Sequence, residues 1–172
     1  CGRELSADLS TPQIMFWRSV VAFVLIVLLL QVSGWGQLKT GIFRIHAFRA
    51  IVHFGAQFCW FYAIPLIVLA ELFAIEFTMP IWAAILAALF LGERMTPLRI
   101  FAIALGFAGA MVIIRPGVAE VGTGATLALV AAIGYAVAVI TVRVLAQRDS
   151  PLCILFYMTL VQIPIGFGLA LE

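Results

Sequence analysis

The chain has 172 residues, 65% of them hydrophobic and only 10% charged, with a mean hydropathy of +1.21. A water-soluble domain carries roughly a quarter charged residues, so this composition excludes a globule coated by polar side chains and leaves much apolar surface to face lipid. The net charge of +2 gives no reason to expect nucleic acid as a partner; charge matters here by its position along the chain.

Crossing about 30 Å of hydrocarbon at 1.5 Å per residue takes about 20 apolar residues. Six stretches reach or approach that length, at about 12–32, 47–64, 70–91, 97–114, 124–142 and 151–171. They predict an all-α, polytopic helical membrane protein. The first stretch follows Thr11-Pro12 and carries Trp17 and Arg18 about six residues in. The second follows a basic segment with Lys39, Arg44 and Arg49, flanked by His46 and His53, which read as loop or interface residues. Trp60 and Tyr62 stand near its far end, and Pro65 turns the chain through a tight hairpin into the third stretch.

That third stretch is the most informative. It holds Glu71, Glu76, Pro80 and Trp82, then stops at Gly92-Glu93-Arg94. An acid inside a membrane helix costs roughly 2.5–3.5 kcal/mol on insertion scales, so it faces a cavity or a partner. Five residues put Glu71 and Glu76 about 140° apart around the helix, so they do not form a pair on one face. Glu76 and Arg18 each lie about six residues in from the same side, at similar depth; either they pair or share a solvated cavity, or Arg18 snorkels to headgroups and Glu76 stays protonated against a backbone carbonyl. Glu71 reads as a residue at the helix mouth. Pro80 removes a backbone hydrogen bond and predicts a hinge or kink. Glu93 and Arg94, with Arg99 close by, read as a turn between helices, with gating as the minor alternative.

The fourth stretch is short, between Arg99 and Arg115, whose long side chains can snorkel to the interfaces. Its Ala102, Gly106 and Ala110 form a small-residue stripe for close helix packing. Tyr135 on the fifth stretch joins Trp17, Trp60, Tyr62 and Trp82 as a candidate cavity wall, with an interfacial-belt or packing role as the alternative for each. Thr11-Pro12, Thr96-Pro97 and Ser150-Pro151 each set a hydroxyl N-cap before a proline at the first helical position, and Gly92 sits where a left-handed C-cap is wanted.

Lys39, Arg44, Arg49, Arg94, Arg99, Arg143 and Arg148 fall on one side of the membrane, and Arg3, Arg18 and Arg115 on the other. The richer side is cytoplasmic by the positive-inside rule. Both ends of the chain then lie outside, and a helix preceding Cys1 would restore a cytoplasmic start. The run from Arg3 through Pro12 to Phe16-Trp17 resembles the run from Arg143 through Pro151 to Phe156-Tyr157. Five helices between two copies would make them point opposite ways, the inverted repeat that transporters use to build a midplane site. Cys1, Cys59 and Cys153 lie far apart in sequence and read as small apolar fillers; no metal site, cofactor motif, HExxH, GxSxG or P-loop is found.

Phe16-Trp17-Arg18 opening a helix, Glu71 and Pro80 in the next but one, and Leu91-Gly92-Glu93-Arg94-Met95-Thr96 before a helix with Gly106 and Gly109 resemble the EamA-type domain of the drug/metabolite transporter superfamily. The resemblance covers nearly the whole chain. It implies a ten-helix carrier of two inverted five-helix repeats, with residues 1–116 as a first repeat lacking its first helix and 117–172 as the beginning of the second. It also implies a multi-pass protein of a bacterial cytoplasmic membrane that moves small organic metabolites, such as amino acids, without ATP hydrolysis. The lipid bilayer and a small-molecule substrate are the expected partners. Proton coupling through Glu76 stays open, because a desolvated glutamate can titrate near neutrality. A non-transporting scaffold subunit and, more remotely, a membrane-embedded enzyme are the competing readings.

Overall fold

The computed structural model describes residues 10–114 and 122–171. Its elements are α1 (Thr11–Ser33), a short 3-10 turn (Trp35–Leu38), α2 (Phe43–Ala63), α3 (Leu69–Glu76), α4 (Met79–Leu91), α5 (Pro97–Ile114), α6 (Thr123–Leu145) and α7 (Pro151–Ala170). No strand occurs among the described residues. With α3 and α4 taken as one interrupted helix, each predicted stretch corresponds to a helix.

Among the described residues four helices are long and apolar enough to cross a membrane: Thr11–Ser33, Leu69–Leu91, Thr123–Leu145 and Pro151–Ala170. Helix α1 shows why. Val21, Val24, Leu25, Leu28, Leu29 and Val32 repeat at helical spacing and are all exposed, whereas Met15, Ser19, Ile26 and Leu30 are buried. A continuous outward stripe of large apolar side chains has lipid as its natural solvent. Helix α2 differs. Its 21 residues reach about 31 Å, but Arg44, His46, Arg49, His53 and Gln57 make it the most polar of the long helices.

The caps follow the sequence with one shift. Helix α7 opens on Ser150, whose hydroxyl accepts from the Cys153 N–H at 3.2 Å, and the Thr96 hydroxyl accepts from the Arg99 N–H at 3.3 Å. Helix α1 instead opens on Ser10, whose N–H is accepted by the Gln13 side chain at 3.1 Å. Thr11 and Pro12 therefore occupy the first two helical positions rather than straddling the cap. Gly92 ends α4 at φ 67°, ψ 20°, the left-handed conformation that a residue without Cβ adopts at no steric cost.

The chain divides into two compact units, one of residues 1–54 with 141–172 and the other of residues 55–140, so that α2 and α6 each contribute to both. In the first unit α1 runs antiparallel along α7. Phe16 meets Phe167 with ring centroids 5.6 Å apart, and Phe23 meets Phe156 at 5.5 Å. At Gly166 an added Cβ would stand 3.2 Å from the Phe16 Cα, so glycine is what allows this approach. Tyr157 ties the 3-10 turn to α7 by donating to the Leu38 carbonyl at 2.9 Å.

The second unit is built on small residues. Ala83, Ala87, Ala136 and Ile140 form one buried cluster, and Ala63, Ile64, Leu72, Ile75, Ala125 and Ala128 another. The hairpin at Pro65 is as tight as predicted: the Leu66 and Ile67 N–H groups both bond the Ala63 carbonyl. Of the predicted stripe on α5, Ala110 is buried, Gly106 admits the Ile81 side chain, and Ala102 is exposed.

Candidate functional site

Helix α2 spaces His46, Arg49 and His53 by three and four residues, which puts them on one face. In the first unit that face turns inward: His46 is 1% and Arg49 8% exposed, and His53 is partly buried. His46 Nε2 lies 2.7 Å from Asp149 Oδ2, and the same oxygen accepts from the Thr40 hydroxyl at 2.8 Å. Asp149 stands in the α6–α7 connection. Burial alone would raise its pKa, but hydrogen bonds from His46 and Thr40, with attraction from His46 and Arg148, outweigh it and hold the carboxyl below its ordinary value. Cys153, fully buried one turn along, completes a group whose nitrogen, oxygen and sulfur atoms all lie within 4.8 Å of one another.

One turn further along α2, Gln162 of α7 donates to the Ala50 carbonyl at 3.3 Å and lies 3.2 Å from His53 Nδ1. A carbonyl only accepts, so the amide nitrogen is the Gln162 atom on this side, and His53 Nδ1 must accept from it. The ring proton then sits on Nε2. Arg49 and Arg18 both act electrostatically on His53. Arg49 itself makes no hydrogen bond or ion pair among the described residues, and its buried Nε has no partner. His46 Nδ1, three residues earlier on the same face, is likewise buried without one.

The second unit presents a different chemistry. Helix α3 ends at Glu76 and α4 begins at Met79, with Pro80 in its first turn, so the helix is interrupted at Phe77 and Thr78, both of which keep right-handed helical dihedrals. Pro80 has no N–H to offer the Glu76 carbonyl four residues earlier. Thr78 bridges the gap: its hydroxyl donates to the Ile75 carbonyl at 2.6 Å and accepts from Trp82 Nε1 at 3.1 Å. Trp60 Nε1 donates to the Glu76 carboxylate at 2.9 Å. Beside the break, Ile75, Thr78, Trp82, Phe107, Ala110 and Met111 help enclose a cavity of about 290 Å³.

The other candidates take varied positions. Trp17, Tyr62 and Pro80 are exposed and Tyr135 is half-buried. Glu71 lies half-buried in the first turn of α3. Glu93 pairs with Arg99 at 2.8 Å, and Arg94 is exposed. The expected pairing of Arg18 with Glu76 would join residues of different units and remains a proposal. Arg3 and Arg115 lie outside the described residues. Sequence reasoning passed over Arg49, Asp149 and Gln162, and it read His46 as a loop or interface residue and Cys153 as a filler. The helix starts at Phe43, a turn earlier than the predicted 47, and that extra turn takes His46 into the interior. The three-four spacing of His46, Arg49 and His53 was the available signal.

Residues 1–115 match the EamA-like transporter family. The chain is similar to a riboflavin transporter of Brucella anthropi, 31% identical over 156 residues that cover 91% of this chain and 55% of the relative. It is similar also to the pseudopaline exporter CntI of Pseudomonas aeruginosa, 30% identical over 168 residues, 95% of this chain and 59% of that protein. An S-adenosylmethionine uptake transporter of Rickettsia prowazekii is 23% identical over 170 residues, 99% of this chain and 58% of the relative. The chain thus spans somewhat over half the length of these relatives. No solved structure matches it.

Proposed function

The chain belongs to the EamA-like transporter family, and on that premise we propose that the full-length protein is a secondary carrier of a small organic solute in a bacterial cytoplasmic membrane, not an enzyme. One observation carries the reading: a helix set whose outer faces are apolar encloses the polar face of α2, with His46 and Arg49 buried. Ionisable side chains inside a membrane protein are costly, and solute pathways are where they recur. A scaffold subunit has no use for a buried guanidinium that is unpaired among the described residues.

The proposal includes two inverted five-helix repeats, residues 1–116 belonging to one and 117–172 to the next, with Arg18 and Glu76 facing the pathway, Trp17, Tyr62, Pro80, Trp82 and Tyr135 near it, and Glu71, Glu93 and Arg94 at its ends. The relatives' names include both uptake and export, so direction does not follow from family. Proton coupling belongs to the proposal through Glu76, which Trp60 holds in a partly buried site. Solute counterflow into proteoliposomes of the full-length protein tests the reading. Transport without ATP supports it; no movement of any solute in a metabolite panel, with the protein folded, leaves the scaffold. Transport that keeps its dependence on a pH gradient in Glu76→Gln removes the proton role.

A further inference from the structure

The interior of the first unit holds one cation, Arg49, that no acid of the described residues pairs with. Arg49 is more than nine-tenths buried, it has no hydrogen bond or ion pair among the described residues, and its Nε has no partner. His53 stands one turn away, with its Nδ1 occupied by Gln162 and its N–H on Nε2. Arg18 of α1 is an exposed residue, yet close enough to act electrostatically on His53. The nearby carboxylate of this unit, Asp149, is already engaged by His46 and Thr40. His53 is ten residues from either end of α2, about 15 Å along the axis, so the group lies at mid-helix.

A buried guanidinium that is neither paired nor neutralised costs several kcal/mol, and arginine does not shed its proton to escape that cost. The planar N–H donors of Arg49, in the positive field of a second arginine, match one ligand chemistry: an oxyanion, bound through charge-assisted hydrogen bonds. We propose that Arg49 binds the carboxylate or phosphate group of a small organic anion, with Arg18 adding to the positive field around it and Gln162 fixing the His53 ring beside it. This rests on the carrier reading for its purpose, not for its geometry. It identifies the solute class as anionic.

The test uses purified full-length protein in detergent, with benzoate as the probe, benzamide as its neutral match and inorganic phosphate as a second anion. At ten times its Kd, benzoate or phosphate raises the melting temperature by about 4 °C, and benzamide does not. Arg49→Gln weakens anion binding at least about tenfold, Arg49→Lys weakens it less, and Gln162→Leu falls between. Equal stabilisation by benzamide, or none by either anion, overturns the site, and both readouts use unmutated protein. Stabilisation by phosphatidylglycerol nanodiscs alone overturns it in favour of a lipid headgroup. Counterflow separates the two readings. Anion binding without movement leaves the site and removes the carrier, whereas transport of neutral solutes insensitive to Arg49→Gln leaves the carrier and removes the site.

Discussion

The two compact units are made of the same kind of helix and hold themselves together differently. Among the described residues the first buries Ser19, His46, Arg49, Thr141, Thr159 and Gln162, with Ala50 as its buried alanine. The second buries alanine after alanine, among them Ala63, Ala74, Ala83, Ala87, Ala128, Ala132 and Ala136, and of its described polar residues only Gln57 and Thr78. Lipid removes most of the hydrophobic drive for helix association, which leaves two sources of cohesion: close backbone approach over small side chains, and hydrogen bonds across helices. The second unit uses the first device and the first unit leans on the other. A unit packed on alanine has little to offer a polar solute, whereas one tied by polar contacts can bind with the groups that hold it.

The contrast has a weak point at Gly166, where the first unit also depends on close approach. Gly166→Leu is the most damaging change expected. It drives a side chain into the Phe16 backbone and costs about 3 kcal/mol, read as lost monodispersity and a lower melting temperature. If Gly166→Leu melts like wild type, α1 and α7 do not depend on that contact.

Asp149→Asn comes next, at about 2 kcal/mol, because two donors lose a charged acceptor. Its pH dependence has a definite sign. Asp149 has a lowered folded pKa, so its contribution is present above the unfolded value of about 4 and is lost as pH falls through the lower folded value. Melting curves of wild type and Asp149→Asn should therefore converge below about pH 4. Curves that stay equally separated down to pH 2 would remove the ionised Asp149 carboxylate from the account.

In the second unit Ala110→Leu should fill part of the apolar cavity and stabilise by about 1 kcal/mol, with benzoate binding unchanged. A drop in that binding would mean that the anion site is not confined to the first unit. The smallest effect is expected from Trp60→Phe, which removes the bond to Glu76 for about 0.6 kcal/mol; a much larger loss would mean that the second unit also depends on its polar contacts.

Helices, caps and hairpin were legible because each is a local matter: an apolar run of membrane length, a hydroxyl before proline, a glycine after the last turn. The break at Thr78 was half legible. Pro80 announced a lost hydrogen bond, but not that a threonine two residues earlier would bridge the gap with Trp82. The polar face of α2 was missed because its basic residues were sorted by loop, as charge bias invites, although His46, Arg49 and His53 carry helical spacing. Asp149 and Gln162 could not be found locally. Their partners lie 103 and 112 residues away, and no pattern in a single sequence links positions so distant.

That distance also sets an order of assembly. His46 enters the membrane with α2, and Asp149 is translated 103 residues later. At about 5–20 residues per second the histidine waits about 5–20 s for its acceptor, and Arg49 and His53 wait with it. Helix α1 waits still longer for α7, against which its phenylalanines stack. During biogenesis the unit with the polar interior is thus the last to close, and its basic residues depend on water, lipid headgroups or the insertion machinery until α7 arrives.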